Sequence, residues 1–256
     1  MSLQVDPRVP PPPRPDPTPC DRPVAHFLHT VALFLLLAGV TIFGHSHATA
    51  LQVTHARVAE YVSSIALEWI LFAFVLAGVR RRKEFLHAAF TRSQASWLQA
   101  LGLGVGAYLA GTVAIALVSG LLYFTPLLHQ RNTQLVLALL PRTRLQFLLW
   151  FGVSLTAGLT EEMIFRGYLQ QQLTAWIKRP MLAIVLASIL FGSVHLYEGM
   201  GAILPLIALA MVYGTIVRWM KGDLRAVIVA HTLQDFLIAM VVFVKPLMDQ
   251  YAQHAH

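Results

Sequence analysis

The chain has 256 residues, 57% of them hydrophobic and 12% charged, with a formal net charge of +7. Soluble globular chains carry about 25% charged residues, so 19 Lys and Arg with 12 Asp and Glu are too few to cover a water-facing surface of this size. The same numbers exclude disorder over most of the length, and they make the positive charge a property of loops at the inner face of a bilayer instead of a nucleic-acid surface.

Taken in chain order, residues 1–23 hold nine of the 14 prolines, including the run Pro10 to Pro13. They read as a disordered Pro-rich N-terminal tail, followed by a retained span rather than a signal peptide. Cys20 is the only cysteine, so no intrachain disulfide can form. Apolar runs then follow near 24–43, 61–79, 97–124, 145–165, 181–196, 201–219 and 226–244. Each approaches the roughly 20 residues a span needs, the fifth being short. Backbone in lipid must satisfy its own hydrogen bonds, so the runs are expected to be helices. The expected fold is all-α: a polytopic integral membrane bundle of about seven helices. An eighth would fit near 125–144, but Pro126, Pro141, Arg131, Arg142 and Arg144 favour an interfacial segment there. Residues 24–144 form the N-terminal transmembrane helices and 245–256 a short C-terminal tail.

With the N-terminus inside, 13 Lys and Arg fall in inner segments and five in outer ones. That bias sets a cytoplasmic N-terminus, in an integral membrane protein expected in the plasma (inner) membrane. Membrane lipids are then partners throughout, and Arg80 to Lys83 is an inner-face anchor that contacts anionic lipid. Gly102 and Gly106 form a small-xxx-small pair expected to let a neighbouring helix approach.

Ionisable side chains within spans cost at least about 2.5–3.5 kcal/mol at the bilayer centre and point to function. Here they are Glu68, Glu161, Glu162, Arg166, His195, His231 and Asp235, with His26 and His29 at the mouth of the first run. In the segment EEMIFR, Glu162 and Arg166 stand at i and i+4 on one helix face and can pair. Glu161 is turned about 100° away. One carboxylate is thereby neutralised; the other lacks a local partner, and a desolvated carboxyl suits a general base. His195 follows Phe191 by four residues, which sets an aromatic wall beside the imidazole. His231 and Asp235 are again i and i+4, a pair that can orient an imidazole or bind a metal. Glu68 reads as a packing hydrogen-bond partner. His45, His47 and His55 read as a solvated loop, and His254 and His256 as tail residues.

Three segments in this order, EEMIFR at Glu161 to Arg166, FGSVH at Phe191 to His195 and HTLQD at His231 to Asp235, resemble the motifs of the CPBP intramembrane proteases. These are the Abi or CAAX-protease-like family, which includes the type II CAAX prenyl endopeptidases. The resemblance covers about 145–244, which makes that stretch the catalytic transmembrane core. It implies hydrolysis of a peptide bond in a membrane-associated protein or peptide, prenylated ones included. Glu161 would activate water, His195 would position it, Glu162 and Arg166 would hold the helix geometry beside Phe191, and His231 with Asp235 would stabilise the oxyanion. The last position is often asparagine in this family. An ionised aspartate cannot donate a hydrogen bond, so Asp235 would be protonated, orient His231, or join a metal. No cofactor is required in this reading; zinc held by Glu161, His195 and His231 is the alternative. A proton-coupled transporter or a non-catalytic membrane scaffold would use the same buried groups.

Overall fold

The computed structural model describes residues 22–54, 57–126 and 137–254, with side chains over 22–44, 57–126 and 137–240. The expectations for the proline tail, Cys20, Arg131, His45, His47, His55, His254 and His256 lie outside these side chains. Among the described residues every named element is helical: α1 (Phe27–Thr54), α2 (Arg57–Gly78), α3 (Arg82–Thr91), α4 (Trp97–Leu122), α5 (Arg144–Glu162), a π-helical turn (Met163–Leu169), α6 (Gln170–Ile177), α7 (Pro180–Val194), a short 3₁₀ turn (Leu196–Glu198), α8 (Met200–Trp219) and α9 (Arg225–His254).

Each expected apolar run lies in a helix, and among the described residues five helical segments are long and apolar enough to cross a membrane: Phe27–Gly44, Arg57–Gly78, Trp97–Leu122, Arg144–Ile177 and Met200–Trp219. The short fifth run is α7, whose 15 residues reach about 22 Å, less than the roughly 30 Å hydrocarbon core. The fourth run does not end at 165. α5, the π turn and α6 form one continuous rod of 34 residues. The polar sequence QQQ at Gln170 to Gln172 hides its second half, because Gln170 and Gln172 are buried and satisfied by protein. Gln170 Nε2 donates to the Gly214 carbonyl. The Gln172 amide accepts from Val24 and Ala25 N–H and donates to the Ala25 carbonyl, pinning the start of the described chain.

Local chemistry sets the helix ends. Ser96 and Gln99 form a reciprocal capping box at α4, and Thr143 accepts from Gln146 N–H at α5. Lys178 adopts a left-handed conformation that stops α6, and Pro180 occupies the first turn of α7, where a missing N–H is harmless. Pro180 therefore begins a helix rather than breaking one, and α8 continues through Pro205. Between α8 and α9, Lys221 and Gly222 have positive φ. There the buried Asp223 accepts from Arg225 Nη2 at 2.8 Å and from the Ser93 hydroxyl at 2.8 Å. Burial alone would push the Asp223 carboxyl up; hydrogen bonds from Arg225 and Ser93 outweigh it and hold the group below its ordinary value of 3.8.

α9 packs on α4 and α5, α4 on α8, α7 on α8 and α6, and α2 on α5. The close approach on α4 is not made at Gly102 and Gly106, where an added Cβ would meet nothing within 4 Å. It is made at Gly104, against Val229 and Ala226, and at Gly111, against Leu209 and Tyr213. Ala100, Gly104, Ala107 and Gly111 are the buried residues of α4; their alternating steps of four and three residues keep them on one face, and Gly102 and Gly106 lie off it.

Candidate active site

The site is assembled on α2, α5 with its π turn, the end of α7 and α9. Glu162 and His195 each lie about 15 residues from the Lys178–Arg179 turn, on the rod and on α7 respectively. At 1.5 Å per residue both stand about 22 Å from that turn, so the two arms of the hairpin present them at similar height. A rod ending near 165 would have put Glu161 close to the inner surface and far below His195; its continuation to Ile177 removes that conflict.

Glu162 is fully buried, and its Oε1 accepts from Arg166 Nη1 at 2.8 Å and pairs with His231 Nδ1 at 2.8 Å. The i to i+4 pair expected from EEMIFR is therefore present, and it extends across to α9. All seven residues of the π turn are buried, and Gln170 N–H bonds the Phe165 carbonyl there, the i to i−5 pattern of a π segment, which concentrates at functional positions. Phe191 packs at the centre. Its ring lies 4.4 Å from the Arg166 guanidinium carbon, 4.7 Å from the His195 ring centroid and 5.9 Å from that of His231. The guanidinium is thus held by a carboxylate at one end and an aromatic face at its side.

Glu161, one residue away, is differently placed. It is half-buried, and its buried Oε2 has no hydrogen-bond partner among the described residues. Glu161, His195, His231 and Glu198 all stand near enough to Asp235 to act on it electrostatically. His231 Nε2 is 3.6 Å from Asp235 Oδ2, too long for a direct hydrogen bond, while Trp150 Nε1 donates to the Asp235 carbonyl at 3.0 Å and fixes that turn of α9. His195 Nδ1 is 2.8 Å from the Phe191 carbonyl oxygen. With the hydrogen on Nδ1 the other ring nitrogen keeps a lone pair. The structure thus brings Glu161, Glu162, Arg166, Phe191, His195, His231 and Asp235 into one region.

Glu68, read from the sequence as a packing hydrogen-bond partner, is one: Thr160 Oγ1 donates to its Oε2 at 3.0 Å, next to Glu161 in the chain. An isolated glutamate in an apolar run was the available signal; what it faces depends on how α2 packs on α5. Tyr213 and Tyr197 were missed. Tyr213 is buried with its ring 5.7 Å from the Arg166 guanidinium carbon. Tyr197 stands 5.8 Å from His195, ring to ring. His29 stacks on Phe74 at 4.3 Å, and His26 accepts locally from Leu28 N–H; neither joins the site.

As for a metal, no group of three His, Cys, Asp or Glu among the described residues is arranged to hold one. Glu161, His195 and His231 are not such a group; His231 Nδ1 is engaged by Glu162 and His195 Nδ1 by a carbonyl, which leaves Nε2 as the free nitrogen of each ring. No step below is routed through a metal.

The fold and this cluster define an integral membrane protein of apolar helices with paired carboxylates and histidines buried among them. Residues 143–237 match the family model described as type II CAAX prenyl endopeptidase Rce1-like. The match includes all three motifs. No curated protein and no solved structure matches the chain.

Proposed function

We propose that this protein is an intramembrane endopeptidase that hydrolyses a peptide bond of a membrane-associated protein or peptide, with prenylated CAAX-type C-termini as the substrate class. The observation that carries the reading is the contrast between neighbouring carboxylates. Glu162 Oε1 is bonded to Arg166 and His231, whereas Glu161 makes no such ion pair among the described residues and its buried Oε2 has no hydrogen-bond partner there. A base must reach the proton it removes; Glu162 Oε2 is likewise unbonded, but the charge of Glu162 is already matched by Arg166, which leaves Glu161 to take the proton.

In this reading Glu161 takes a proton from water, and the water oxygen adds to the substrate carbonyl carbon. His195 accepts a hydrogen bond from that water through Nε2, its Nδ1–H being given to the Phe191 carbonyl. His231, fixed by Glu162, turns Nε2–H to the developing oxyanion, a donor worth about 3–4 kcal/mol when preorganised. Asp235 orients that imidazole from 3.6 Å. Collapse of the tetrahedral intermediate breaks the C–N bond, and Glu161 returns its proton to the leaving amine. The N-terminus is cytoplasmic, and the protein resides in the plasma (inner) membrane.

The test is cleavage of a farnesylated CAAX peptide by the purified protein in proteoliposomes. Wild type is expected to cleave it. Glu161→Gln and His195→Ala are expected to lose cleavage while keeping the wild-type thermal transition. Equal cleavage by Glu161→Gln and wild type contradicts the assignment of the base. A protein that leaves this peptide intact but accumulates a solute in a Glu161-dependent way is a transporter.

A further inference from the structure

The turn that joins α2 to α3 gathers four cations in a row, and among the described residues one of them is paired with a carboxylate. Val79 to Glu84 line a cleft of about 560 Å³, and Arg80, Arg81, Arg82 and Lys83 are all exposed there. Arg81 Nη1 stands 3.1 Å from Glu84 Oε2, so its charge is matched within the turn. Arg82 Nη2 donates to the Ala77 carbonyl at 3.1 Å, which aims the guanidinium at the end of α2 and leaves its charge unmatched. Among the described residues no carboxylate pairs with Arg80, Arg82 or Lys83. These like charges repel one another across the cleft, and an anion placed there relieves that repulsion.

The cleft is built on a fixed frame. On one side Arg80 N–H donates to the Val24 carbonyl at 3.1 Å, and Val79 pairs with Ala25. On the other, Phe85 and Ala89 are the buried residues of α3. An added Cβ on Gly167 of the π turn would lie 3.4 Å from Phe85 Cζ, and the Ala89 carbonyl accepts from Leu224 N–H at 2.8 Å. The depth of the cleft suits a headgroup. α2 ends at Gly78, α4 begins at Trp97 and α8 ends at Trp219; both tryptophans are exposed, as they are at the headgroup level of a bilayer. Apolar surface adjoins the cleft as well. Ala25 leads into α1, whose first residues, Phe27 and Leu28, are exposed.

We propose that this cleft binds the headgroup of an anionic phospholipid, with Arg80, Arg82 and Lys83 around the phosphate and the acyl chains along Phe27 and Leu28. In the sequence these cations read as a row of inner-face charge; the fold turns the row into one cleft, at one depth, beside an apolar wall. A free phosphate would use the cations and leave the wall uncovered. A zwitterionic choline headgroup would bring a further cation to a cleft that already holds three without a carboxylate. The site lies at the end of the bundle, away from the buried carboxylates and histidines, and does not rest on the proposed peptidase activity.

Native mass spectrometry of the full-length protein released from detergent micelles reads the bound lipid directly, with phosphatidylglycerol as the probe. Wild type is expected to retain phosphatidylglycerol in preference to phosphatidylcholine, and inorganic phosphate at the same concentration is expected to leave the adduct in place. Each Lys or Arg near an anionic surface contributes about fivefold in affinity. Arg80→Gln/Lys83→Gln removes two exposed side chains that no carboxylate of the described residues holds, and is expected to weaken retention about 30-fold. Arg80→Lys/Lys83→Arg keeps both charges and is expected to stay within about threefold of wild type. Arg142→Gln/Arg144→Gln removes two exposed arginines at the opposite end of the bundle and is expected to leave retention unchanged. Thermal transitions measured with phosphatidylcholine show that each variant is folded. Equal retention of the two lipids overturns the proposal, as does displacement of phosphatidylglycerol by inorganic phosphate. So does a folded Arg80→Gln/Lys83→Gln protein that retains phosphatidylglycerol like wild type, or a loss as large in Arg142→Gln/Arg144→Gln.

Discussion

The two halves of this chain are both apolar, but they use apolarity differently. In the 18-residue apolar stretches of α1, α2 and α4, 17%, 22% and 17% of residues are buried within the protein, against 39% for that of the rod Arg144–Ile177 and 44% for that of α8. The first group is a jacket whose side chains largely face lipid; the second is a core whose side chains face one another. Lipid solvates leucine about as well as another helix does, so apolar composition alone does not bring helices together. In the core, association comes from close backbone approach and buried polar contacts: Gly158 against Thr232 and Ile228, Glu162 with Arg166 and His231, and Gln170 with Gly214. The jacket joins this core through a few contacts of the same kinds, among them Gly104 and Gly111 of α4, Thr30 of α1 with Tyr168, and Glu68 of α2 with Thr160.

The sharpest way to break the comparison is at the buried pair. Glu162→Ala leaves Arg166 charged and buried without its carboxylate, and is expected to lower stability by about 3–5 kcal/mol, read as loss of the folded thermal transition in detergent. Next comes Gly158→Val. Its Cβ would lie 2.3 Å from Thr232 Oγ1 and 3.0 Å from the Ile228 carbonyl, so α5 and α9 must separate, with an expected loss of about 1–3 kcal/mol. Trp150→Phe removes the hydrogen bond to the Asp235 carbonyl, for about 1 kcal/mol. At the bottom of the scale, Leu117→Ala on the jacket, where the side chain is 64% exposed, is expected to change the thermal transition by no more than about 0.5 kcal/mol. A Leu117 effect as large as that of Gly158 would erase the distinction between jacket and core.

The Asp223–Arg225 pair adds a pH test outside the spans. The folded Asp223 carboxyl lies below its ordinary value of 3.8. Its contribution to stability is therefore fully present above that value and is lost as pH falls further and the folded-state group takes up a proton. Asp223→Asn is expected to be less stable at neutral pH and to show a flatter acid limb in thermal-shift measurements. An acid limb identical to that of wild type removes this role.

Much of the fold was legible in the sequence because hydropathy reports compatibility with lipid, and all seven apolar runs lie in helices. The misplaced features depend on which helix faces which. Gln170 and Gln172 looked like the end of a span because their buried partners, Gly214 and Ala25, are distant in the chain. Gly102 and Gly106 have the right spacing for an interface, yet α4 turns its other glycines, Gly104 and Gly111, inward. Within the site, the pairs at i and i+4 could be read directly: Glu162 with Arg166, Phe191 with His195, His231 with Asp235. The contact joining the first pair to the third, Glu162 to His231, spans 69 residues and has no local signature. Glu68 was legible as a hydrogen-bond partner, but that its partner is Thr160, 92 residues away, was not.

The central claim is that the two adjacent glutamates do different work. Single-turnover cleavage of a farnesylated CAAX peptide by wild type and Glu161→Gln, matched for thermal transition in the same proteoliposomes, tests it most directly. The account predicts a fall in rate of about 10²–10⁴ for Glu161→Gln with the folded state unchanged. A folded Glu161→Gln protein that cleaves within about threefold of wild type, far short of a general base's contribution, would contradict it.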